Sequence, residues 1–350
     1  MTDTFRLTRR ALLAAGAGAA LTPAFSASRL MAAETKDVVV GTWGGDFGNT
    51  LKMAVDEAIM KPMGYTVLQE ISGPVPRRTK ILAERMNRRG SLDVACLADF
   101  DTYAASAVGA LADVTRERVP NSAHVLPFLQ KSYAIPQIYS AHTIVYNKEM
   151  IQTPPASIQE LWNPKYKGKI GLSDFLYTTN MAYAAMANGG SMSDFGPAKK
   201  GLEAWKALDA KVLASTEAVG AALKSGEIWM TIIAAARGYM WSQQGIPVGW
   251  AIAEEGAFPT TYEACVPKNA RNLDGGFVYL NAMLDPSAQT AFSKKMGYLP
   301  TVTNAKLDPD LEKLIGFTEA QQQRLWTPDL SYIMKNQAQL LDTWNRDFKG

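Results

Sequence analysis

Short apolar runs alternate with amphipathic stretches along most of the chain. Residues 38–40 are three valines, a run typical of a buried strand, and they precede a glycine-rich turn at 41–48 and a helical pattern at 49–60. Residues 134–147 predict two strands joined near Tyr139. The remaining strands are predicted at 65–71, 92–97, 169–172, 227–233, 247–252 and 262–266. The remaining helices are predicted at 77–89, 102–111, 177–187, 196–209, 217–224, 235–244, 273–284 and 286–295.

This alternation of strands and helices predicts an α/β fold. Crossover units of this kind build a largely parallel sheet with helices on both faces. The chain has 350 residues, which is more than a single hydrophobic core usually organises, so its length favours two domains.

The N-terminus has the pattern of an export signal. A twin arginine, Arg9–Arg10, precedes an apolar, small-residue stretch at 11–21, and Ala32–Ala33 offers a cleavage site. This order predicts a signal peptide over residues 1–33, of the twin-arginine type, with cleavage near Ala32–Ala33. Gly16 and Gly18 disfavour the alternative of an ordinary soluble helix. We therefore expect a periplasmic protein, and no further membrane span is predicted.

Composition and charge exclude several classes of partner. Hydrophobic residues make up 47% of the chain, charged residues 20%, and the net charge is +3, as in ordinary soluble globular proteins. The densest basic stretch, residues 77–89, is interleaved with apolar positions. That pattern favours the solvated face of a helix over a nucleic-acid-binding patch, so no nucleic-acid partner is expected.

The usual catalytic and cofactor motifs are missing. The two histidines, His124 and His142, are far apart in sequence and have no companions with metal-ligand spacing. Neither a phosphate-binding loop nor a nucleophile elbow is present. We therefore expect no enzyme, no cofactor and no metal, although carboxylates from distant positions could still meet in a catalytic pair.

Two cysteines remain after export, Cys96 and Cys265. Both lie in apolar strand patterns, which is consistent with two buried thiols. In an oxidising compartment they could also form a disulfide across neighbouring strands, provided that their Cα atoms lie within about 7 Å. The sequence leaves both alternatives open.

Several segments together resemble the spermidine/putrescine-type family of periplasmic binding proteins. These segments are Val-Gly-Thr-Trp-Gly-Gly at 40–45, Glu-Leu-Trp-Asn-Pro-Lys-Tyr-Lys-Gly-Lys at 160–169, Glu-Glu-Gly-Ala at 254–257, Val-Pro-Lys-Asn-Ala at 266–270, Leu-Asp-Pro at 284–286 and Gly-Tyr-Leu-Pro-Thr at 297–301. Their order and spacing cover nearly the whole mature chain.

The resemblance implies a two-lobed periplasmic binding protein fold of type II, with a mixed, mostly parallel sheet flanked by helices in each lobe. By analogy, lobe 1 comprises residues 35–136 and 264–303, and lobe 2 comprises 137–263 and 306–350. Such a protein is the substrate-binding component of an ABC importer. It closes around a small solute by a hinge motion and delivers the solute to the membrane permease. We expect a monomer.

Candidate ligand residues lie where strands end and helices begin, since ligands of such sheets bind there. After the first strand come Trp43, Gly44, Gly45 and Asp46; the glycines permit close backbone approach of an anion, and Asp46 could instead cap the helix. The other candidates are Asp99 and Phe100; Ser173, Asp174, Tyr177 and Thr178; Arg237; and Tyr262 and Glu263.

The pattern departs from that of polyamine binders, which hold ammonium groups with acidic residues. At two matching acidic positions this chain has Thr178 and Tyr262, although a one-residue slip would supply Glu263. Arg237 stands in an apolar segment, and a guanidinium can hold a carboxylate through two parallel hydrogen bonds. We therefore predict an anionic or zwitterionic solute, held by Arg237 and the turn at Gly44–Gly45. The alternatives are a polyamine-binding protein, a secreted enzyme, and a sensor coupled to a chemoreceptor.

Overall fold

The computed structural model describes residues 36–350. The predicted export signal and its cleavage site at Ala32–Ala33 lie outside these residues. In the described part of the chain no helix combines the length and the apolar character needed to cross a bilayer.

Ten strands join into one continuous sheet in the order β2-β1-β3-β9-β4-β7-β5-β6, with β8 and β10 also paired to β4. The strands are β1 (Asp37–Thr42), β2 (Thr66–Ile71), β3 (Val94–Ala98), β4 (Ile135–Asn147), β5 (Ile170–Ser173), β6 (Lys211–Leu213), β7 (Met230–Ala234), β8 (Val248–Ala251), β9 (Phe258–Cys265) and β10 (Leu299–Pro300).

The sheet has two parallel regions and an antiparallel centre. Strands β2, β1 and β3 are parallel to one another, and so are β7, β5 and β6. Between them, β9 and β4 run antiparallel to each other and to the strand on either side. The two parallel regions are therefore connected through β4 and β9.

The helices pack on these two regions. They are α1 (Gly45–Leu51, continuing as a π-helical segment Lys52–Met60), α2 (Pro74–Glu84), α3 (Asp99–Ala107), α4 (Tyr177–Ala187), α5 (Ala198–Ala207), α6 (Thr216–Lys224), α7 (Ala235–Gln243), α8 (Leu273–Met283), α9 (Pro286–Met296), α10 (Pro309–Ile315), α11 (Glu319–Gln323) and α12 (Leu330–Thr343, continuing as a π-helical segment Trp344–Lys349). The α/β fold with helices flanking a mostly parallel arrangement is confirmed.

Each parallel region has its own large hydrophobic core. The first contains Val38 and Val94 from the sheet together with Phe292 of α9. The second contains Leu172 and Ile232 from the sheet together with helices α4 and α5. The C-terminal region divides between them, because Phe317 belongs to the first core and the residues from Trp326 onward belong to the second. The predicted lobe boundaries remain a prediction.

One sequence prediction about the strands is wrong. Residues 135–147 form one strand, β4, and not two joined near Tyr139. All but one of the 13 residues of β4 are buried, although five of the 13 are polar. An irregularity between Pro136 and Ile138 accommodates the proline without ending the strand.

Of the two alternatives left open for Cys96 and Cys265, the structure contradicts the disulfide, since both cysteines are free and buried. Ala95 is paired with Cys265, and Cys96 with Ala264. Neighbouring residues of a strand point to opposite faces of the sheet, so the two sulfur atoms belong to different hydrophobic clusters. The alternative of two buried thiols is confirmed.

Candidate functional site

An aromatic cavity of about 420 Å³ lies where β1 ends and α7 begins. Six of the residues predicted as ligand contacts meet here: Trp43, Gly44, Gly45, Asp46, Arg237 and Tyr262. The sequence reasoning missed four further lining residues, Phe47, Met240, Met296 and Tyr298. Tyr298 lies in a segment that carries the family resemblance, whereas the other three look like ordinary core positions in the sequence.

The turn between β1 and α1 brings its backbone close to the cavity. Gly44 immediately precedes α1, and Gly45 has a φ of +62°, a conformation that favours glycine. Asp46 does not cap α1 with its side chain, so that alternative is wrong. Its carboxylate is exposed and lies 3.4 Å from the ammonium group of Lys295.

Aromatic rings in edge-to-face contact form one wall. The Trp43 ring centre is 4.7 Å from that of Phe47 and 5.0 Å from that of Tyr262. Tyr262 in turn contacts Tyr298 at 5.4 Å. Such contacts fix the orientation of the rings and each contribute about 1 kcal/mol beyond the burial of their area. The wall is therefore preorganised for an apolar part of a ligand.

Arg237 is the cationic group of the cavity. It lies in the first turn of α7, is partly buried, and its nearest polar contact is the sulfur of Met240 at 3.6 Å. No carboxylate of residues 36–350 lies within ion-pair distance of it, although its charge is one of the smaller causes that lower the pKa of the exposed Glu217. A partly desolvated guanidinium without a carboxylate partner can accept an anionic group of a ligand.

Asp99 and Phe100 begin α3, at the end of β3, and do not line this cavity. The carboxylate of Asp99 accepts a hydrogen bond from the backbone N–H of Phe100 at 2.8 Å. Burial, and the charge of Glu263, raise the pKa of Asp99 to about 7. The ring of Phe100 packs against the second hydrophobic core. These two residues therefore remain predicted contacts outside the aromatic cavity.

Glu263 is on the other face of the sheet from Tyr262, because the two are neighbours on β9. It is fully buried, lies 2.5 Å from the ammonium group of Lys131, and accepts a hydrogen bond from the hydroxyl of Thr102. Its carboxylate is thus already neutralised within the protein and does not line the cavity.

The segment after β5 does not reach the aromatic cavity either. Asp174 accepts hydrogen bonds from Trp344 at 2.7 Å and from Lys349 at 2.9 Å. Burial would raise its pKa, but these two hydrogen bonds hold the pKa of Asp174 below its usual value. Ser173 is buried, whereas Tyr177 and Thr178 are partly buried.

His142 lies on β4, and its Nδ1 atom is 3.3 Å from the hydroxyl of Thr179 on α4. Burial lowers the pKa of His142 to about 4, so the imidazole is neutral at pH 7. It is not associated with a metal cluster: no group of three or more His, Cys, Asp or Glu side chains suited to a metal ion is found within residues 36–350.

Comparison with known proteins matches most of the chain to one family. A sequence profile described as “Bacterial extracellular solute-binding protein” matches residues 77–319. The spermidine/putrescine-binding periplasmic protein of Escherichia coli (strain K12) is 26% identical over 199 residues, which cover 52% of this chain and 57% of that protein. The chain thus aligns with little more than half the length of this curated relative.

Solved structures show the same fold over most of the chain. An ABC transporter protein from Clostridium perfringens ATCC 13124 superposes with a TM-score of 0.77 at 21% identity, covering 89% of this chain and 99% of that one. A protein described as the Atu4243-GABA receptor also superposes with a TM-score of 0.77, at 19% identity and with 89% and 97% coverage. The two-lobed α/β fold predicted from the sequence is confirmed.

Proposed function

Because the chain belongs to the family of bacterial extracellular solute-binding proteins, we propose that it captures a small anionic or zwitterionic solute in its aromatic cavity and delivers it to the membrane permease of an ATP-driven importer. Its site of action would be outside the cytoplasm. The observation that carries the proposal is Arg237, a guanidinium beside an aromatic wall with no carboxylate partner in residues 36–350.

In this proposal each part of the cavity has a physical role. Arg237 binds an anionic group of the solute through two parallel hydrogen bonds. The backbone of Gly44 and Gly45 approaches the same group closely, and the rings of Trp43 and Tyr262 cover its apolar part. Binding closes the two lobes around the hinge strands β4 and β9, and the permease recognises the closed form.

A zwitterionic ligand agrees with one of the structural relatives, since the Atu4243 protein is described as a GABA receptor.

A cationic ligand is the second candidate, because the curated relative is described as a spermidine/putrescine-binding protein. Four acidic residues are predicted near the ligand. Those at 46, 174 and 263 already have a lysine partner, and Asp99 lies outside the aromatic cavity with its pKa raised to about 7 by burial. A clamp for two ammonium groups is therefore less well supported than an anion site.

The experiment is a thermal-shift screen with 4-aminobutyrate, other amino acids, dicarboxylates, putrescine and spermidine. A ligand that binds only the native state raises the melting temperature by mass action. We expect a carboxylate to raise it and Arg237→Ala to abolish the shift. The variant Arg346→Ala, which removes an exposed arginine with two surface ion pairs, serves as the matched control. A shift with polyamines and none with carboxylates would contradict the proposal.

A further inference from the structure

Arg77 places a buried positive charge next to the cavity wall. It lies in the first turn of α2, and only 1% of it is exposed. Its guanidinium carbon is 4.3 Å from the centre of the Trp43 ring. Trp43 lines the cavity, whereas Arg77 does not. The positive charge of Arg77 therefore acts on the cavity from behind the Trp43 ring.

The hydrogen bonds of Arg77 leave its charge uncompensated. Its Nε atom donates to the backbone carbonyl of Cys96 at 2.9 Å, and one terminal nitrogen donates to the carbonyl of Ser72. The other terminal nitrogen is buried without a hydrogen-bond partner in the described chain. Backbone carbonyls are dipoles without net charge, so these contacts orient the guanidinium without neutralising it.

The two carboxylates whose charge acts on Arg77, those of Asp101 and Glu70, are paired with other cations. Asp101 lies 2.6 Å from Arg78, and Glu70 lies 2.6 Å from Lys80. Burial lowers the pKa of Arg77 from its usual value, and the attraction between its charge and these carboxylates offsets that effect only in part. A guanidinium still remains protonated at neutral pH.

The positive charge near the cavity therefore exceeds what the lining residues alone suggest. Arg237 contributes one unpaired guanidinium from inside the cavity, and Arg77 contributes a second through Trp43. The one lining carboxylate, Asp46, lies beside Lys295. Moreover, a cation held over one face of Trp43 repels a second cation at the opposite face, so the ring attracts an ammonium group in the cavity less strongly.

We propose that Arg77 is a specificity-determining residue that acts through Trp43 and makes this wall of the cavity selective for anionic over cationic groups. This inference rests on the proposed function, in which the cavity binds the solute. It identifies a residue outside the cavity that discriminates against solutes carrying ammonium groups at this wall.

The test uses ions that quench tryptophan fluorescence, so it needs no identified solute. The fluorescence of Trp43 is obtained as the difference between the emission of the wild type and that of Trp43→Phe. Both proteins are titrated with iodide, with caesium and with neutral acrylamide. We expect the iodide-to-caesium ratio of quenching constants for the Trp43 fluorescence to exceed that of free N-acetyltryptophanamide several-fold, a reference that removes the intrinsic difference between the two ions. We expect Arg77→Met to lower the iodide-to-caesium ratio by about threefold or more at low ionic strength. Arg77→Lys, which keeps the charge, should retain most of the ratio.

Acrylamide quenching and circular dichroism report whether a substitution has changed access to Trp43 or the fold. A wild-type iodide-to-caesium ratio no greater than that of free N-acetyltryptophanamide would overturn the inference, and this outcome does not depend on how any Arg77 variant folds. An unchanged ratio in a folded Arg77→Met would overturn it as well. Failure of the proposed function would appear separately, as a thermal-shift screen without a response to carboxylates.

Discussion

The hydroxyl group of Tyr239 donates a hydrogen bond to the backbone carbonyl of Lys294, 3.1 Å away. Tyr239 is on α7, which carries Arg237, and Lys294 is near the end of α9, which is followed by Tyr298. The contact thus holds two sides of the aromatic cavity against each other. Gly297, the left-handed residue that ends α9, lies against the ring of the same tyrosine.

This relationship predicts that Gly297→Ala destabilises the protein by about 2–3 kcal/mol, because the new methyl group would overlap the Tyr239 ring and Gly297 has a φ of +69°. Gly168→Ala is the matched control, since Gly168 has a φ of +70° and open space around it. It should lower the free energy of unfolding by only about 1 kcal/mol. Urea unfolding measures both values, and equal losses would show that the contact with Tyr239 is unimportant.

The pair of the partly buried Lys131 and the fully buried Glu263 gives a second prediction. Lys131→Met should lower the free energy of unfolding by about 3–5 kcal/mol, because it leaves a buried carboxylate without its cation. Adding Glu263→Gln should recover at least half of the loss. For comparison, Lys211→Met breaks the solvent-accessible pair with Glu227. This substitution should lower the free energy of unfolding by less than about 1 kcal/mol. A small effect of Lys131→Met would mean that Glu263 is already neutral or hydrated.

The cysteines should behave as two unreactive thiols in the folded protein. Both are fully buried, and burial raises the pKa of Cys96 to about 12 and that of Cys265 well above its usual value. A thiol reagent should therefore react slowly with the native protein and should titrate two sulfhydryl groups after denaturation without a reductant. Finding none after denaturation would contradict the placement of Cys96 and Cys265 on opposite faces of the sheet.

The lowered pKa of His142 leads us to expect a loss of stability at acidic pH. Its pKa in the folded protein is about 4, below the value of about 6.5 in an unfolded chain. The unfolded state therefore binds the proton first, so this contribution to stability is complete above pH 6.5 and declines as the pH falls towards 4. The difference in unfolding free energy between the wild type and His142→Gln should decrease by about 2–3 kcal/mol over this range. A constant difference would contradict a neutral, partly buried His142 in the folded protein.

Much of the fold could be predicted because its elements carry local signals. The helix predicted at residues 177–187 matches α4 at both ends, and the three valines mark β1. The prediction of two strands joined near Tyr139 is wrong because a strand buried on both faces, as β4 is, has no alternating pattern that would show it as one strand. Whether Cys96 could reach Cys265 depended on a register between two distant strands, which no local pattern encodes.

The sequence could predict a residue of the site only where its place directly after a strand is enough to bring it to the cavity. Trp43 and Arg237 follow β1 and β7, and the fold brings these strand ends to one cavity. Asp174 also follows a strand, but Trp344 and Lys349, far away in the sequence, occupy its carboxylate. The charge of Arg77 was missed because a basic residue in an amphipathic helix usually faces solvent, whereas this one is buried.

Calorimetric titration of the wild type and Arg237→Gln tests the central claim most directly. The ligands are the carboxylate that gives the largest thermal shift, its primary amide and spermidine. The wild type should bind the carboxylate at least about thirtyfold more tightly than the amide, and Arg237→Gln should lose this preference, since a buried charge-assisted pair contributes about 2–5 kcal/mol. Equal carboxylate affinity in the two proteins, or tighter binding of spermidine by the wild type, would contradict an anion site at Arg237.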